Sequence, residues 1–191
     1  MEKTKLTTAP RVVMIGGSAG SLDVILQIIP YLDGKADYAI VIILHRRSQQ
    51  DSPLNDLLAH KTKWEVSEPE DKDPILCRHI YIAPADYHLL IEKDHSFSLD
   101  DSEKVNFSRP SIDVSFESAA DVYGNKTTAI LLSGANADGV EGMQRIKEAG
   151  GTCIAQKPDT ADVPYMPQQA ILHVAIDHVM DAEEMGKWLS Q

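Results

Sequence analysis

The sequence predicts an α/β fold: a doubly wound, mainly parallel sheet with helices on both faces and an added antiparallel β-hairpin. Three observations predict it. The short apolar run over 11–15, the unbroken run over 38–44 and the segment 127–132 are too short for helices and read as strands, 38–44 with the pattern of a sheet covered on both faces. The segments between such runs carry apolar residues at helical spacing. The stretch 84–109 breaks this rhythm with two short apolar runs around Lys93-Asp94-His95-Ser96, the pattern of a hairpin.

Taken in order, residues 11–15 form a first strand, cut off by Gly16-Gly17. From Ser21 onward Leu22, Val24, Ile25, Ile28, Ile29 and Leu32 recur at helical spacing, and Pro30 weakens the end of that helix. Residues 38–44 are a second strand that ends at His45. A helix is expected over 51–61, short strands over 64–66 and 78–83, and the hairpin over 87–92 and 97–99. Ser111 suits the N-cap of a helix over 111–122. The strand 127–132 leads to a helix over 138–149 that stops at Gly150-Gly151. A strand over 152–155 and short helices over 166–173 and 181–190 complete the pattern. No repeat or low-complexity tract intervenes, so residues 11–191 read as a single domain behind a polar leader, residues 1–10.

A chain of 191 residues can bury most of its unfolded surface in one core. Its net charge of −11, from 18 Lys and Arg against 29 Asp and Glu, opposes nucleic-acid or anionic-membrane binding as a main task. The longest apolar run, 38–44, is far short of a membrane span, and the first ten residues lack the apolar core of a secretory signal. A cytoplasmic location is the expectation. Cys77 and Cys153 agree with it: they make neither a disulfide framework nor a zinc pattern and read as small apolar residues in strand-like segments. No metal is expected. His173 and His178 are five apart, off a common helix face, and His60, His79, His88 and His95 show no ligand grouping; most are expected to be exposed or partly buried without a function.

Open parallel sheets carry their sites beyond the carboxyl ends of the strands. Three strand ends here deliver Ser18, His45 and Asp138. Ser18 sits in Gly16-Gly-Ser-Ala-Gly20, a G-x-S-x-G segment between a strand and a helix, where glycines permit a sharp turn and free N–H groups at the helix start suit a developing oxyanion. The same pentapeptide equally suits a phosphate-binding turn. His45 can take the Ser18 proton and return it to a leaving alkoxide, although a lone histidine there is more often structural. Asp138 can orient the His45 ring, and its bland role is a helix N-cap. The dinucleotide fingerprint fails, because Gly16, Gly17 and Gly20 do not make G-x-G-x-x-G.

With these residues in place, further segments carry a resemblance: Ile15-Gly-Gly-Ser-Ala-Gly20, the run ending at His45, Ile82-Ala-Pro-Ala-Asp-Tyr-His-Leu89, Arg109-Pro-Ser-Ile-Asp113, Glu117-Ser-Ala-Ala120, the run over 130–139, Ala149-Gly-Gly-Thr152, Ala155-Gln156 and Met166-Pro167. In this order and over about residues 11–180, the chain resembles the catalytic domain of the chemotaxis protein-glutamate methylesterase (CheB) family. The resemblance implies a triad running Ser18, His45, Asp138, against the Ser, Asp, His order of α/β-hydrolases. It implies hydrolysis of γ-glutamyl methyl esters on the helical cytoplasmic part of chemoreceptors or receptor-like proteins, with release of methanol, and deamidation of certain receptor glutamines. No cofactor or metal is implied. Backbone N–H groups at Ala19 and Ala135 are the oxyanion donors it suggests. The chain departs from the family at Ala19, where Thr is usual, and at Ala135-Asn136, where Met-Gly is usual.

Arg46 and Arg47 follow the base on an otherwise acidic protein and are expected to engage an acidic receptor helix, solvated loop charges being the alternative. Family members commonly carry an N-terminal receiver domain, which ten residues cannot make. The expectation is therefore a free-standing domain controlled by a separate receiver or methyltransferase partner, or a piece of a larger sensor. A non-catalytic signalling module of the same fold, binding a methyltransferase or kinase, is the competing reading. A nucleotide-binding domain using the Ser18 turn is a weaker one.

Overall fold

The structure, a computed structural model, describes residues 7–32, 34–46 and 54–191. The strands are β1 (Arg11–Gly17), β2 (Tyr38–Leu44), β3 (Glu65–Ser67), β4 (His79–Ile82), β5 (His88–Ile91), β6 (Phe97–Asp100), β7 (Thr127–Leu131), β8 (Thr152–Gln156) and β9 (His178–Met180). The helices are α1 (Ser21–Ile28), α2 (Leu54–Ala59), α3 (Ile112–Tyr123), α4 (Val140–Glu148), α5 (Tyr165–His173) and α6 (Ala182–Leu189). Seven strands pair in the order β3-β4-β2-β1-β7-β8-β9, every pair parallel. β1 is flanked by β2 and β7, so the chain leaves it on one side and returns on the other. The crevice of a doubly wound sheet forms at that reversal, above the carboxyl end of β1.

Alternate residues of each strand feed two cores. Val12 and Met14 of β1 with Val41 and Ile43 of β2 meet Phe116 of α3, Met143 and Ile146 of α4 and Ala170 of α5. Val13 and Ile15 with Ile40 and Ile42 meet Ile25 and Ile28 of α1, Leu58 of α2 and Met185 and Leu189 of α6. Burial on both faces explains why β2 reads as unbroken apolar sequence.

Several sequence expectations change in detail. The main sheet is wholly parallel. The hairpin is a separate sheet of β5 and β6, hung on α3 by Ser115 Oγ donating to Leu89 O at 2.7 Å and the Ile91 N–H donating to Ser118 Oγ at 3.0 Å. The helix expected over 21–32 ends at Ile28 and tightens into a 3₁₀ turn, Ile29–Tyr31, at Pro30, which has no N–H to give an α-helical bond. The helix expected over 51–61 is described for Leu54–Ala59; residues 51–53 lie outside the described residues, as do residues 1–6 of the leader. Cys77 lies in the turn before β4 rather than in a strand, and both cysteines are buried free thiols. β9, three residues on the sheet edge, is an addition to the expected strands.

Candidate active site

Register places Ser18 beside His45. Gly17 and Leu44 are direct partners in the β1–β2 ladder, so Ser18 and His45 are the next residues on adjacent strands, and the His45 N–H donates to Gly17 O at 3.3 Å. Ser18 is pinned through its backbone. Its N–H donates to Ser133 O at 2.9 Å, and its carbonyl accepts the Ser21 N–H at 3.1 Å and Ser21 Oγ at 2.6 Å. The turn into α1 is made at Gly20, whose φ of 78° is left-handed. Among the described residues neither Ser18 Oγ nor His45 Nδ1 has a hydrogen-bond partner, leaving hydroxyl and ring nitrogen uncommitted.

His45 Nε2 is committed: it lies 2.7 Å from Asp138 Oδ2. Asp138 is 1% exposed and accepts four further hydrogen bonds. The Ile112 N–H donates to Oδ2 at 2.7 Å; Ser111 Oγ, the Asp113 N–H and Asn106 Nδ2 donate to Oδ1 at 2.9, 3.1 and 3.2 Å. Burial works to raise the Asp138 pKa, but the bonds from His45, Ile112 and Asp113 outweigh it and hold the carboxyl down to about 2. The expected N-cap role does not apply. Gly139, at φ 98°, is the N-cap of α4, and Asp138 instead receives the free N–H groups of the α3 N-terminus.

Glycine makes that delivery sterically feasible. Gly16 and Gly139 both face Ile112, and a Cβ on either would stand 2.5 or 2.7 Å from Ile112 Cγ2. The first turn of α3 therefore sits directly on the end of β1. One residue further on, Asp113 Oδ1 accepts the Gly139 and Gly142 N–H groups at 2.8 and 2.7 Å, and Oδ2 accepts Asn106 Nδ2 at 2.8 Å. Burial, with the charge of Asp138 beside it, pushes the Asp113 pKa up to about 7 against those N–H bonds.

The two expected oxyanion donors lie on segments that are stitched together. Ser133 Oγ donates to Ala19 O at 2.6 Å and accepts the Val163 N–H at 2.9 Å. Gly134 packs against Ser18 Cβ and the tip of Met166. Among the described residues the Ala19 and Ala135 N–H groups donate to no protein acceptor, so both are available.

Arg46 is turned inward. Its side chain is 11% exposed, pairs with Glu68, and donates to Ala83 O at 3.1 Å. The guanidinium expected to meet a receptor carboxylate is thus held by one of the protein's own. Arg47 lies outside the described residues. His60, His95, His173 and His178 are exposed or partly buried, as expected of most of the histidines, but His79 and His88 are buried. His88 is 1% exposed; its Nδ1 accepts the Ser111 N–H at 3.1 Å, and its Nε2 donates to Glu103 O at 2.9 Å. Sequence reasoning missed it, along with Asn106 and Ser133. Beside Asp138 opens a groove of about 520 Å³ lined by Asn106, Phe107, Asn136, Gln169 and His173. Phe107 stands 98% exposed on its rim. Among the described residues no three His, Cys, Asp or Glu side chains gather as metal ligands, and no helix is long and apolar enough to cross a membrane.

Comparison with known proteins finds matches over most of this chain. A family model described as CheB methylesterase matches residues 13–189. A candidate protein-glutamate methylesterase/protein-glutamine glutaminase of Leptospira interrogans is 41% identical over 175 residues, covering 92% of this chain and 91% of that protein. The protein-glutamate methylesterase/protein-glutamine glutaminase of Thermotoga maritima is 34% identical over 189 residues, covering 97% of this chain but 55% of its own length. Among solved structures, the Thermotoga maritima CheB methylesterase catalytic domain matches with a TM-score of 0.91 at 33% identity, over 94% of this chain and 97% of that one.

Proposed function

The chain belongs to the CheB methylesterase family, and from that premise we propose that it is a serine hydrolase of protein glutamyl methyl esters, with Ser18, His45 and Asp138 as its triad. The observation that carries the reading is the His45 Nε2–Asp138 Oδ2 hydrogen bond of 2.7 Å, next in register to a serine whose hydroxyl is uncommitted. Because Nε2–H is held by Asp138, Nδ1 is the nitrogen left to act as base.

In the first half-reaction Ser18 Oγ attacks the γ-carbonyl carbon of the ester while its proton passes to His45 Nδ1. The Ala19 and Ala135 N–H groups stabilise the oxyanion, and Asp138 stabilises the imidazolium. Collapse breaks the acyl–oxygen bond, and His45 returns the proton to the leaving methoxide, giving methanol and a glutamyl-Ser18 ester. Water, deprotonated by His45, then attacks that ester; the proton returns to Ser18 Oγ, and a glutamate side chain departs. A glutamine amide follows the same course with ammonia as the leaving group. The substrate this reading implies is a methylated chemoreceptor or receptor-like signalling protein, met on its cytoplasmic helical part.

Two measurements test the proposal. A fluorophosphonate probe is expected to label the protein and to leave Ser18→Ala unlabelled. Purified protein is expected to release methanol from methylated receptor preparations. A folded Ser18→Ala that retains full esterase activity would end the serine mechanism and favour a binding module.

A further inference from the structure

One buried carboxyl group, Asp113, has no part in the triad chemistry, yet it is tied to it through a single amide. Asn106 Nδ2 carries two hydrogens and meets two acceptors, Asp113 Oδ2 at 2.8 Å and Asp138 Oδ1 at 3.2 Å. Only the NH₂ end of an amide can face two carboxyl oxygens, so the orientation is set by chemistry. The residue belongs to an exposed loop and reaches inward between α3 and the segment before α4, with a left-handed φ of 51°.

Resting on the triad reading, we propose that Asn106 is a positioning residue for Asp138, its amide keeping two buried carboxyl groups apart so that Asp138 stays ionised and aimed at His45. Both carboxyl groups lie within hydrogen-bond reach of one nitrogen. Without the amide, Asp113 Oδ2 has no donor among the described residues, and Asp138 Oδ1 beside it keeps only Ser111 Oγ and the Asp113 N–H. Such a pair relieves its repulsion by sharing a proton or by turning apart. Either response takes negative charge or alignment away from the oxygen that steadies the His45 imidazolium. Asp113 itself is fixed by the Gly139 and Gly142 N–H groups, so it cannot swing away cheaply. Its raised pKa, about 7, agrees with a neighbour that readily keeps a proton. The other titratable groups around the pair are His45 at the end of β2, His88 of β5 through Ser111, Glu141 of α4, and His173 of α5 across the groove.

The test uses purified protein, methanol release from a methylated chemoreceptor fragment, fluorophosphonate labelling rates across pH 5–9, and thermal denaturation to confirm folding. Asn106→Ala is expected to lower kcat by about 10–100-fold with KM within about twofold, and to move the pH midpoint of labelling downward, because less negative charge then favours the imidazolium. Adding Asp113→Asn to it restores a donor between the two sites and is expected to recover part of the lost kcat. Three results would overturn the proposal: a folded Asn106→Ala with wild-type kcat and pH profile, a loss confined to KM, or a loss that the double change does not relieve. Should Asn106→Ala fail to fold, Asp113→Asn alone carries the test, since it keeps size and the acceptor for Gly139 and Gly142. Above about pH 7 it removes a negative charge beside Asp138, so its labelling midpoint is expected to move downward, and an unmoved midpoint overturns the proposal. Ser18→Ala and Asp138→Ala run alongside. If they retain full activity, the triad reading itself falls; if they lose it while Asn106→Ala does not, only this inference falls.

Discussion

The Ile112 N–H donates to Asp138 Oδ2 at 2.7 Å, the same oxygen that meets His45 Nε2 at the same distance. A carboxylate that belongs to the β7–α4 connection is thus seated on the N-terminus of α3, one helix earlier in the chain. The N–H groups there lack partners within their own helix and sit at its positive end, so they favour an ionised carboxylate even in a dry site. An ionised, immobile Asp138 is what a histidine needs if it is to hold a proton for the lifetime of a tetrahedral intermediate.

The ordering of triad variants follows from that division of labour. In the proposed mechanism Ser18 supplies the bond-forming atom and His45 the proton transfers, whereas Asp138 orients and stabilises. Ser18→Ala or His45→Ala is expected to lower kcat by roughly 10³–10⁶-fold, and Asp138→Ala by somewhat less. Since the three act as one unit, Ser18→Ala combined with His45→Ala should cost little beyond either alone. Methanol-release kinetics on the three single variants and the double variant check this.

Gly16→Ala tests how α3 reaches the site. A Cβ there would meet Ile112 Cγ2 at 2.5 Å, a methyl on a β-branched side chain that cannot easily swing clear, with Phe116 and Leu131 close behind. The first turn of α3 must retreat, and with it the Ile112 and Asp113 N–H groups on Asp138. Overpacking of this kind costs about 1–3 kcal/mol. The expected result is a lower melting temperature together with a loss of kcat exceeding any change in KM.

The two carboxyl groups give opposite pH signatures in stability. Asp138, held down to about 2 from the usual 3.8, contributes stability that is present above pH 4 and lost as pH falls through about 2. Asp113, raised to about 7 from 3.8, keeps in the native state a proton that the unfolded chain releases, so its contribution is full below pH 4 and lost as pH rises through about 7. Thermal denaturation from pH 3 to pH 8 is expected to show a decline between about pH 4 and 7 that Asp113→Asn flattens, at about 2–4 °C for each kcal/mol. Asp138→Asn is expected to weaken that decline without abolishing it, since burial alone still raises Asp113, and to remove part of the loss below pH 4.

Much of this was legible because it is short-range. Buried strands announce themselves as apolar runs, so the ends at Ser18 and His45 were visible, and the open parallel sheet told where to look. Ser111 was legible as a helix cap, and its Oγ does accept the Val114 N–H at 3.4 Å. Its second bond, to Asp138 27 residues away, has no local signature. The same holds for Asn106, which sits in a polar loop, and for His88, whose burial depends on how β5 lies against the start of α3. Asp138 was found for its position, but its bland role was misassigned because Gly139 takes the left-handed cap. Arg46 looked free because its partner, Glu68, follows a different strand. β9 escaped because three residues at a sheet edge, two of them exposed, carry no apolar run. The hairpin was visible as a hairpin, while its separation from the main sheet is a matter of tertiary packing.

Ser133 provides the final test, since it joins the two halves of the expected oxyanion site without entering the chemistry. Its N–H is held by Gln156 Oε1 at 2.9 Å, which fixes the loop, and its hydroxyl spans Ala19 O and the Val163 N–H. Ser133→Ala removes the hydroxyl and leaves one carbonyl and one N–H without their protein partner in a part-buried setting, a cost of about 0.5–1.5 kcal/mol. The geometric effect matters more. The Ala19 N–H and the Ala135 N–H act on one oxyanion only if their segments keep a fixed spacing, and losing one such donor costs about 10²–10³ in kcat in other hydrolases. A loosened pair keeps part of that stabilisation, so the expected loss is about tenfold, below that of the triad variants. Labelling by a fluorophosphonate, whose reaction also passes through a charged oxygen, should slow in proportion, while KM for the methylated receptor stays near wild type. If Ser133→Ala lowers the melting temperature yet labels at the wild-type rate, Ala19 and Ala135 do not depend on this link, and the oxyanion assignment loses its structural support.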